Sequence, residues 1–486
     1  MGIGGVKFRT GLSKGCRVVA MAVLIALTVG CASTGEVQKE LAQQMMLGDY
    51  PGALLVVESQ KTGAYDGKNQ LLYFLERGML LHYDGQFAES NIAFEQAKRI
   101  GDALYTESLS NQGFSLMSND YALDYAGENF ERTLIHLFSA LNYIQLGEKD
   151  SALVEIRQVG DYLRKLQVDS TNENVYQEDA FARYLSALLY ESGGELDAAF
   201  VDYKKAASAY RAYASEYAVA VPESLMPNAE SVASRLGEWA LEDLYELNRD
   251  VSPRFMPPGT GEIIILHYNG LSPIKDQEKY TIPFSEAWLF VAAFQAAAST
   301  GDREDVNRAI AFASQVSGVD VVSVAFPKFV DRPYEIVHMV PRTRDVVSIF
   351  GPDLVEDIGA IAEKDLADRI VRIRTRAIAR AAIKYSIQKG VEFAASQAGG
   401  EYGNLLAAAT QLAGNIARYA SEQADKRVWS TLPDQIWMSS IVLLEGTHDI
   451  TVDFVNAQQV VVESRSFPGI QVSAGDRRFI TVRTVK

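Results

Sequence analysis

The stretch 71–100, LLYFLERGMLLHYDGQFAESNIAFEQAKRI, constrains the fold more than any other part of the chain. Small or apolar residues stand at Gly78, Leu81, Gly85, Phe87, Phe94 and Ala97. That spacing predicts two amphipathic helices joined by a short turn. It recurs at Ala140, Tyr143, Gly147, Ala152 and Ile156, and again at Ala187, Tyr190, Gly194, Leu196, Ala199, Tyr203 and Ala206. Gly48, Tyr50 and Ala53 form a shorter, earlier copy. Such a chain stacks helix pairs, each burying the face its neighbour exposes.

The intervals match the tetratricopeptide (TPR) pattern, in which a small residue of one helix packs on a small residue of the next. The anchors Gly48, Gly85, Gly147 and Gly194 lie 37, 62 and 47 residues apart. A regular array repeats at about 34. The repeats are therefore irregular, and the widest gap is expected to hold an additional helix over 103–117. Stacked pairs offer an extended concave groove for a peptide or partner helix. The loop SNDYALDYAGENFER at 118–132 has two readings. In one its aromatic residues pack on neighbouring helices; in the other Tyr121, Tyr125 and Phe130 contact a partner at the mouth of the groove.

The N-terminus reads as an export signal. Lys7, Arg9, Lys14 and Arg17 precede an apolar run over 18–29, too short for a spanning helix of about 20 residues. Leu27 and Thr28-Val29-Gly30-Cys31 close it and resemble the lipobox of bacterial lipoproteins, with the leucine one place early. That resemblance implies cleavage after Gly30 and acylation of Cys31. Ala32, where an aspartate would retain the protein at the inner membrane, implies the outer membrane by the same resemblance; a periplasm-facing orientation is expected, with surface display the alternative.

A helix over 229–247 and a Pro-rich linker lead to a change of composition near Gly259. EIIILHY at 262–268 reads as a buried strand, and Asn269-Gly270 as its turn. Further strands are expected at 280–283, 319–330 and 334–340, with helices at 284–300 and 304–316. Gly351-Pro352 is expected to open a long helix, which pairs with a second over 404–426 as a hairpin. Short strands at 435–444, 448–455, 458–464 and 477–485 form a small antiparallel β module, possible partners for the strands at 262 and 319. The fold class expected is mainly α: an irregular TPR-like solenoid, then an α+β region with a helical hairpin and a small β module. The boundaries are a signal peptide at 1–30, repeats at 31–218, helix and linker at 219–258, an α+β region at 259–345, the hairpin at 346–428 and the β module at 429–486.

The chain carries a formal net charge of −16, and −20 without its first 31 residues, where 42 basic residues face 62 acidic ones. Such a balance repels phosphate backbones, so no nucleic-acid partner is expected. Cys16 and Cys31 are the only cysteines, which leaves no thiolate metal site for the mature body. His82, His136, His267, His338 and His448 are scattered, with no HExxH. Neither a Gly-x-Ser-x-Gly elbow nor a phosphate loop is present. No catalytic residue, metal or cofactor is expected, and the chain is read as not an enzyme. Arg372, Arg376 and Arg380, with Arg369 and Lys384 in line, recur every four residues. They form either a salt-bridged solvent face or a site for an anionic partner.

The order of lipobox, irregular TPR pairs, YAGENFER at 125–132, GEIIILHYNGLSPIK at 261–275 and RVWSTLP at 427–433 resembles an uncharacterised family of TPR-containing bacterial outer-membrane lipoproteins. The likeness spans most of the mature chain. Its members look like envelope proteins and are sometimes grouped with activators of penicillin-binding proteins. The function expected is a membrane-anchored scaffold that binds an envelope protein through its TPR groove. The alternative is a protein that binds or processes peptidoglycan or exported polysaccharide. Several acyl chains hold a protein on a membrane persistently. Cys31→Ala is therefore expected to move the protein from the membrane to the soluble periplasmic fraction, read by cell fractionation.

Overall fold

The computed structural model describes residues 34–110, 123–169, 178–247, 257–287, 289, 321–388 and 423–486. Its first half holds four helix pairs: α1 (Thr34–Met46) with α2 (Tyr50–Ser59), α3 (Gln70–Tyr83) with α4 (Phe87–Ser110), α5 (Asn129–Gln145) with α6 (Lys149–Asp169), and α7 (Ala180–Ser192) with α8 (Leu196–Glu216). One device closes all four first helices. Gly48, Gly85, Gly147 and Gly194 have φ of +73° to +78°, a region costly for any residue with a Cβ. At the second, the Gly85 N–H donates to His82 C=O (3.2 Å) and the Gln86 N–H to Leu81 C=O (2.9 Å). The other three glycines repeat these bonds, so each first helix ends in a Schellman motif. The pairs then touch closely: a Cβ on Gly78 would lie 2.4 Å from the ring of Phe94, which is fully buried.

Two expected helices are differently placed. Through Ser110, the helix expected at 103–117 is the continuation of α4; residues 111–122 lie outside the described part. The single helix expected over 229–247 is two, α9 (Leu225–Leu236) and α10 (Glu238–Leu247), broken at Gly237 with φ +109°.

The expectation of a mainly α chain with a small β module is wrong. Among the described residues about 52% are helix and 26% strand, and nine strands form three sheets. They are β1 (Thr260–Asn269), β2 (Ile274–Pro283), β3 (Val321–Val330), β4 (Ile336–Arg342), β5 (Val346–Asp357), β6 (Gln435–Leu444), β7 (Gly446–Asn456), β8 (Val461–Val472) and β9 (Arg477–Thr484). The first sheet has the order β5-β6-β1-β9, with β1 antiparallel to β6 and parallel to β9. The second is β4-β7-β8. Strand β3 pairs with β2 in a separate ribbon rather than with the terminal strands.

Alternation along β1 shows how the layers stack. Ile264, Leu266 and Tyr268 join one core with the repeat helices. Ile263 and Ile265 join another with Met339, Val452 and Phe454 of the second sheet. The first sheet is thus sandwiched between helices and a second sheet. Because β1 is covered on both faces, it reads as an unbroken apolar run.

The hairpin boundary at 346 also needs correcting. Residues expected to begin a helix form β5, and the helix α11 (Ile358–Gln388) starts only after it, where Asp357 Oδ1 accepts the Ala360 N–H (2.8 Å). Gly351-Pro352 sits at a bulge in this edge strand, with Gly351 at φ +80°. A bulge in an edge strand tolerates proline as well as a helix start does. The second arm expected at 404–426 lies outside the described residues up to 422, and residues 423–429 have no regular structure. Helix α11 packs on the β2-β3 ribbon, with Arg374 over the ring of Phe326 at 5.5 Å.

Filling the gap between α3 and α4 should be costly. Gly78→Ala must displace Phe94, and is expected to destabilise the fold by roughly 1–3 kcal/mol, read from urea unfolding.

Candidate functional site

Glu76 lies in the middle of the apolar α3, between Leu75 and Met79, and is fully buried. Its Oε1 accepts the Ser430 N–H (3.0 Å) and hydroxyl (2.7 Å). Its Oε2 accepts the Thr431 N–H (3.1 Å) and hydroxyl (2.6 Å). On α5, two helices along, Glu131 Oε1 accepts the Trp429 N–H at 2.7 Å. Two carboxylates from different pairs thus take three consecutive main-chain amides of the RVWSTLP segment.

The rest of that segment is held as fully. Trp429 is buried, with ring centroids of Phe94 and Phe138 at 5.7 and 6.2 Å in edge-on geometry. Its indole N–H donates to Thr431 Oγ1 (3.1 Å). Tyr83 OH donates to Thr431 C=O (2.9 Å), and Arg332 Nη2 to Ser430 C=O (2.6 Å). Arg427 is 1% exposed. Its guanidinium grips Asp425 through Nε (2.8 Å) and Nη2 (2.6 Å), donates through Nη1 to Leu123 C=O (2.9 Å), and covers the Tyr125 ring at 5.1 Å. A buried strip of irregular backbone is tolerated only when its polar groups are paired this way.

The loop YAGENFER completes the arrangement. Tyr125 OH donates to Glu131 Oε2 (2.5 Å), which also accepts the Glu128 N–H (2.8 Å), closing a capping box at the start of α5. Glu128 pairs in turn with Lys275, at the end of GEIIILHYNGLSPIK, and with Arg369 Nη2 (2.5 Å) on α11. Three segments far apart in sequence therefore meet in one buried cluster between repeats and sheets.

The electrostatics follow from that burial. Desolvation, then the neighbouring Glu128 charge, pushes the Glu131 carboxyl up to about 7. Burial acts on Glu128 too, but Arg369 and Lys275 overcome it and hold that carboxyl well below the usual range. Burial raises Glu76 against the pull of its four donors. His82 is pushed down to about 4 by desolvation. Its Nδ1 faces Asn142 Oδ1 (2.6 Å) and its Nε2 faces Tyr268 OH (3.2 Å), which assigns a neutral ring donating to Asn142 and accepting from Tyr268. These groups bind one another within the interior; the arrangement orders peptide and sheet rather than presenting a reactive atom.

The residues singled out from sequence separate accordingly. Tyr125 and Phe130 are 4% and 2% exposed and face the chain's own segments, so they are not a rim for a partner. Tyr121 and Cys31 lie outside the described residues. The arginine row does not share one solvent face: Arg372 is exposed, Arg376 half-buried and Arg380 buried. Arg369, read only as in line with them, is the one that reaches the cluster. Glu76, Lys275 and Arg427 were missed as functional candidates. The available signal was a glutamate on the apolar face of α3, which is rare unless its oxygens are satisfied.

No group of His, Cys, Asp and Glu able to hold a metal occurs among the described residues, and no helix there is long and apolar enough to cross a membrane. Comparison with protein-family models and with curated proteins finds no match.

Glu131 gives a pH test. In the folded chain it keeps its proton to about pH 7, against an ordinary 4.5 when unfolded. The native state then binds the extra proton between those values, so this group's contribution to stability falls as pH rises from 4.5 to 7. The stability of the parent relative to Glu131→Gln is expected to decline across that window by on the order of 2 kcal/mol, read from urea midpoints at a series of pH values.

Proposed function

We propose that the chain is a lipid-anchored, periplasm-facing scaffold that binds a protein partner in cell-envelope assembly or maintenance, as its likeness to TPR-containing outer-membrane lipoproteins implies. The observation that carries this reading is the occupation of the repeat face. The segment 427–433 lies against α3 and α5 as a bound peptide would, its amides taken by Glu76 and Glu131. The repeats thus bind peptide in cis, and their inner helices serve as a frame for the sheets.

A foreign partner then docks on surfaces the frame leaves outside, not in the groove that the repeat pattern alone would nominate. Exposed apolar residues on those surfaces include Leu146, Trp239, Val347 and Val371, between 41% and 73% exposed. The chain's acidic excess keeps such a surface soluble and selects against polyanions.

The test is photo-crosslinking in intact cells from probes at those four positions, with a probe at Tyr83 as reference. The expected result is one dominant envelope protein captured from an exposed position, and only intramolecular products from Tyr83. Capture of no protein from any exposed position, with the chain anchored and folded, would overturn the scaffold reading.

A further inference from the structure

Among the described residues strand β9 is an outer strand of the first sheet, paired on one side, with β1. Within that ladder the Glu262 N–H donates to Asp476 C=O (2.9 Å) and the Gly270 N–H to Thr484 C=O (3.1 Å). The N–H and C=O of one strand residue leave on the same side, and those of the next residue on the other. Residues 478, 480 and 482 therefore serve β1, while Phe479 and Thr481 turn their backbone groups outward. The direction is confirmed at Phe479, whose C=O accepts Gln145 Nε2 at 3.5 Å.

Beyond that one side-chain contact, no strand pairs with this edge among the described residues. Phe479 and Thr481 line a cleft of about 760 Å³ between β9, the tip of β8 and the α5–α6 turn. Ile144, Leu146 and Phe467 supply apolar walls. Lys149 and Arg478 face the same space, and neither makes a carboxylate ion pair among the described residues; Glu195, Asp150 and Asp476 attract Lys149 from beyond contact distance, and Arg478 reaches Gln471 C=O at 3.4 Å. Two other charges border the cleft, and both are engaged. Arg477 is held by Glu262 (2.5 Å) and Glu191 (2.6 Å), and Asp476 Oδ1 accepts the Arg477 N–H (2.9 Å). A chain with a large acidic excess thus keeps two cations without a contacting carboxylate beside this strand edge.

We propose that this cleft takes an extended acidic peptide of the partner, added to β9 as a fifth strand of the first sheet. Its backbone meets the outward groups of Thr481 and Phe479, displacing Gln145 from the Phe479 C=O, its carboxylates meet Lys149 and Arg478, and its alternate apolar side chains pack on Leu146 and Phe467. Strand addition of this kind draws affinity from main-chain bonds and selectivity from side-chain pockets. The strand carries no proline, and its inward arginines are bound within the layers, Arg477 by Glu262 and Glu191 and Arg483 by the Tyr268 C=O (3.0 Å), so neither blocks the edge. The proposal rests on the scaffold reading, but the two fail separately: the cleft is tested on the purified chain, the scaffold by capture in cells.

The test is fluorescence anisotropy on the full chain in detergent, with a fluorescein-labelled decapeptide alternating Asp and Leu. Saturable binding is expected, weakened about tenfold by the double variant Lys149→Glu, Arg478→Glu, the size of one lost charge-assisted contact. Two further peptides carry N-methyl groups on alternate residues, one in each register, and leave the protein unchanged. At least one of them is expected to lose binding, because N-methylation removes the donors a new strand needs. Absence of saturable binding by the parent peptide would overturn the proposal. So would equal binding by both methylated peptides, or by the double variant.

Discussion

Glu76 and Glu131 stand on helices of different pairs, yet both turn their oxygens on the main chain of Trp429, Ser430 and Thr431. Burying a carboxylate is expensive unless each oxygen finds donors. Here the cost is met by amides and hydroxyls that would themselves be unsatisfied in the interior. The dependence is mutual, and it fixes register. Sliding the segment by one residue would break the match with both carboxylates, which a purely apolar contact would not enforce. The remaining cross-layer bonds extend the same logic, with Arg477 joining Glu262 of β1 to Glu191 of α7 and Tyr210 OH donating to Val355 C=O of β5 (3.0 Å).

The layering gives the repeats an unusual task. In an open array the inner face of the first helices is a binding surface. In this chain that face carries Tyr83, Phe138 and His82 against Tyr268 of β1, with His82 and Phe138 at 5.4 and 5.8 Å from the tyrosine ring. Aromatic edges and one neutral imidazole make a surface complementary to a sheet rather than to a mobile peptide. The solvent-facing chemistry is left to strand edges, turns and the outer helices.

Much of the helical half could be read from the sequence, because its signals are local. Gly48, Gly85, Gly147 and Gly194 mark turns whose bonds reach no further than five residues. The β half was legible as strands, and the pairing of the 262 strand with the terminal strands was expected, but not the strand order or the separate β2-β3 ribbon. Nothing near Glu262 in the sequence says that its strand runs between 435–444 and 477–484, since pairing is decided by which faces need covering. Gly351-Pro352 misled for a related reason: a helix start and a bulged edge both welcome a proline. The buried cluster was half visible. YAGENFER and RVWSTLP stood out as distinctive, but that they recognise one another depends on three-dimensional placement. Tyr125 was left between packing and partner contact because an aromatic, acidic loop has the same composition whether it faces solvent or an arginine such as Arg427.

The pairing of β1 with strands near the end of the chain has a consequence for how the protein is made. Contacts of such long sequence separation pay loop-closure entropy before they return any stability, so they form late. The helix pairs are local and can form as the chain emerges, but their apolar inner face stays bare until the segment at 427–433 arrives. A chain in that condition exposes apolar surface and is prone to aggregate. Pairing of the last strands with β1 is therefore the step that closes the apolar face and ends that exposure.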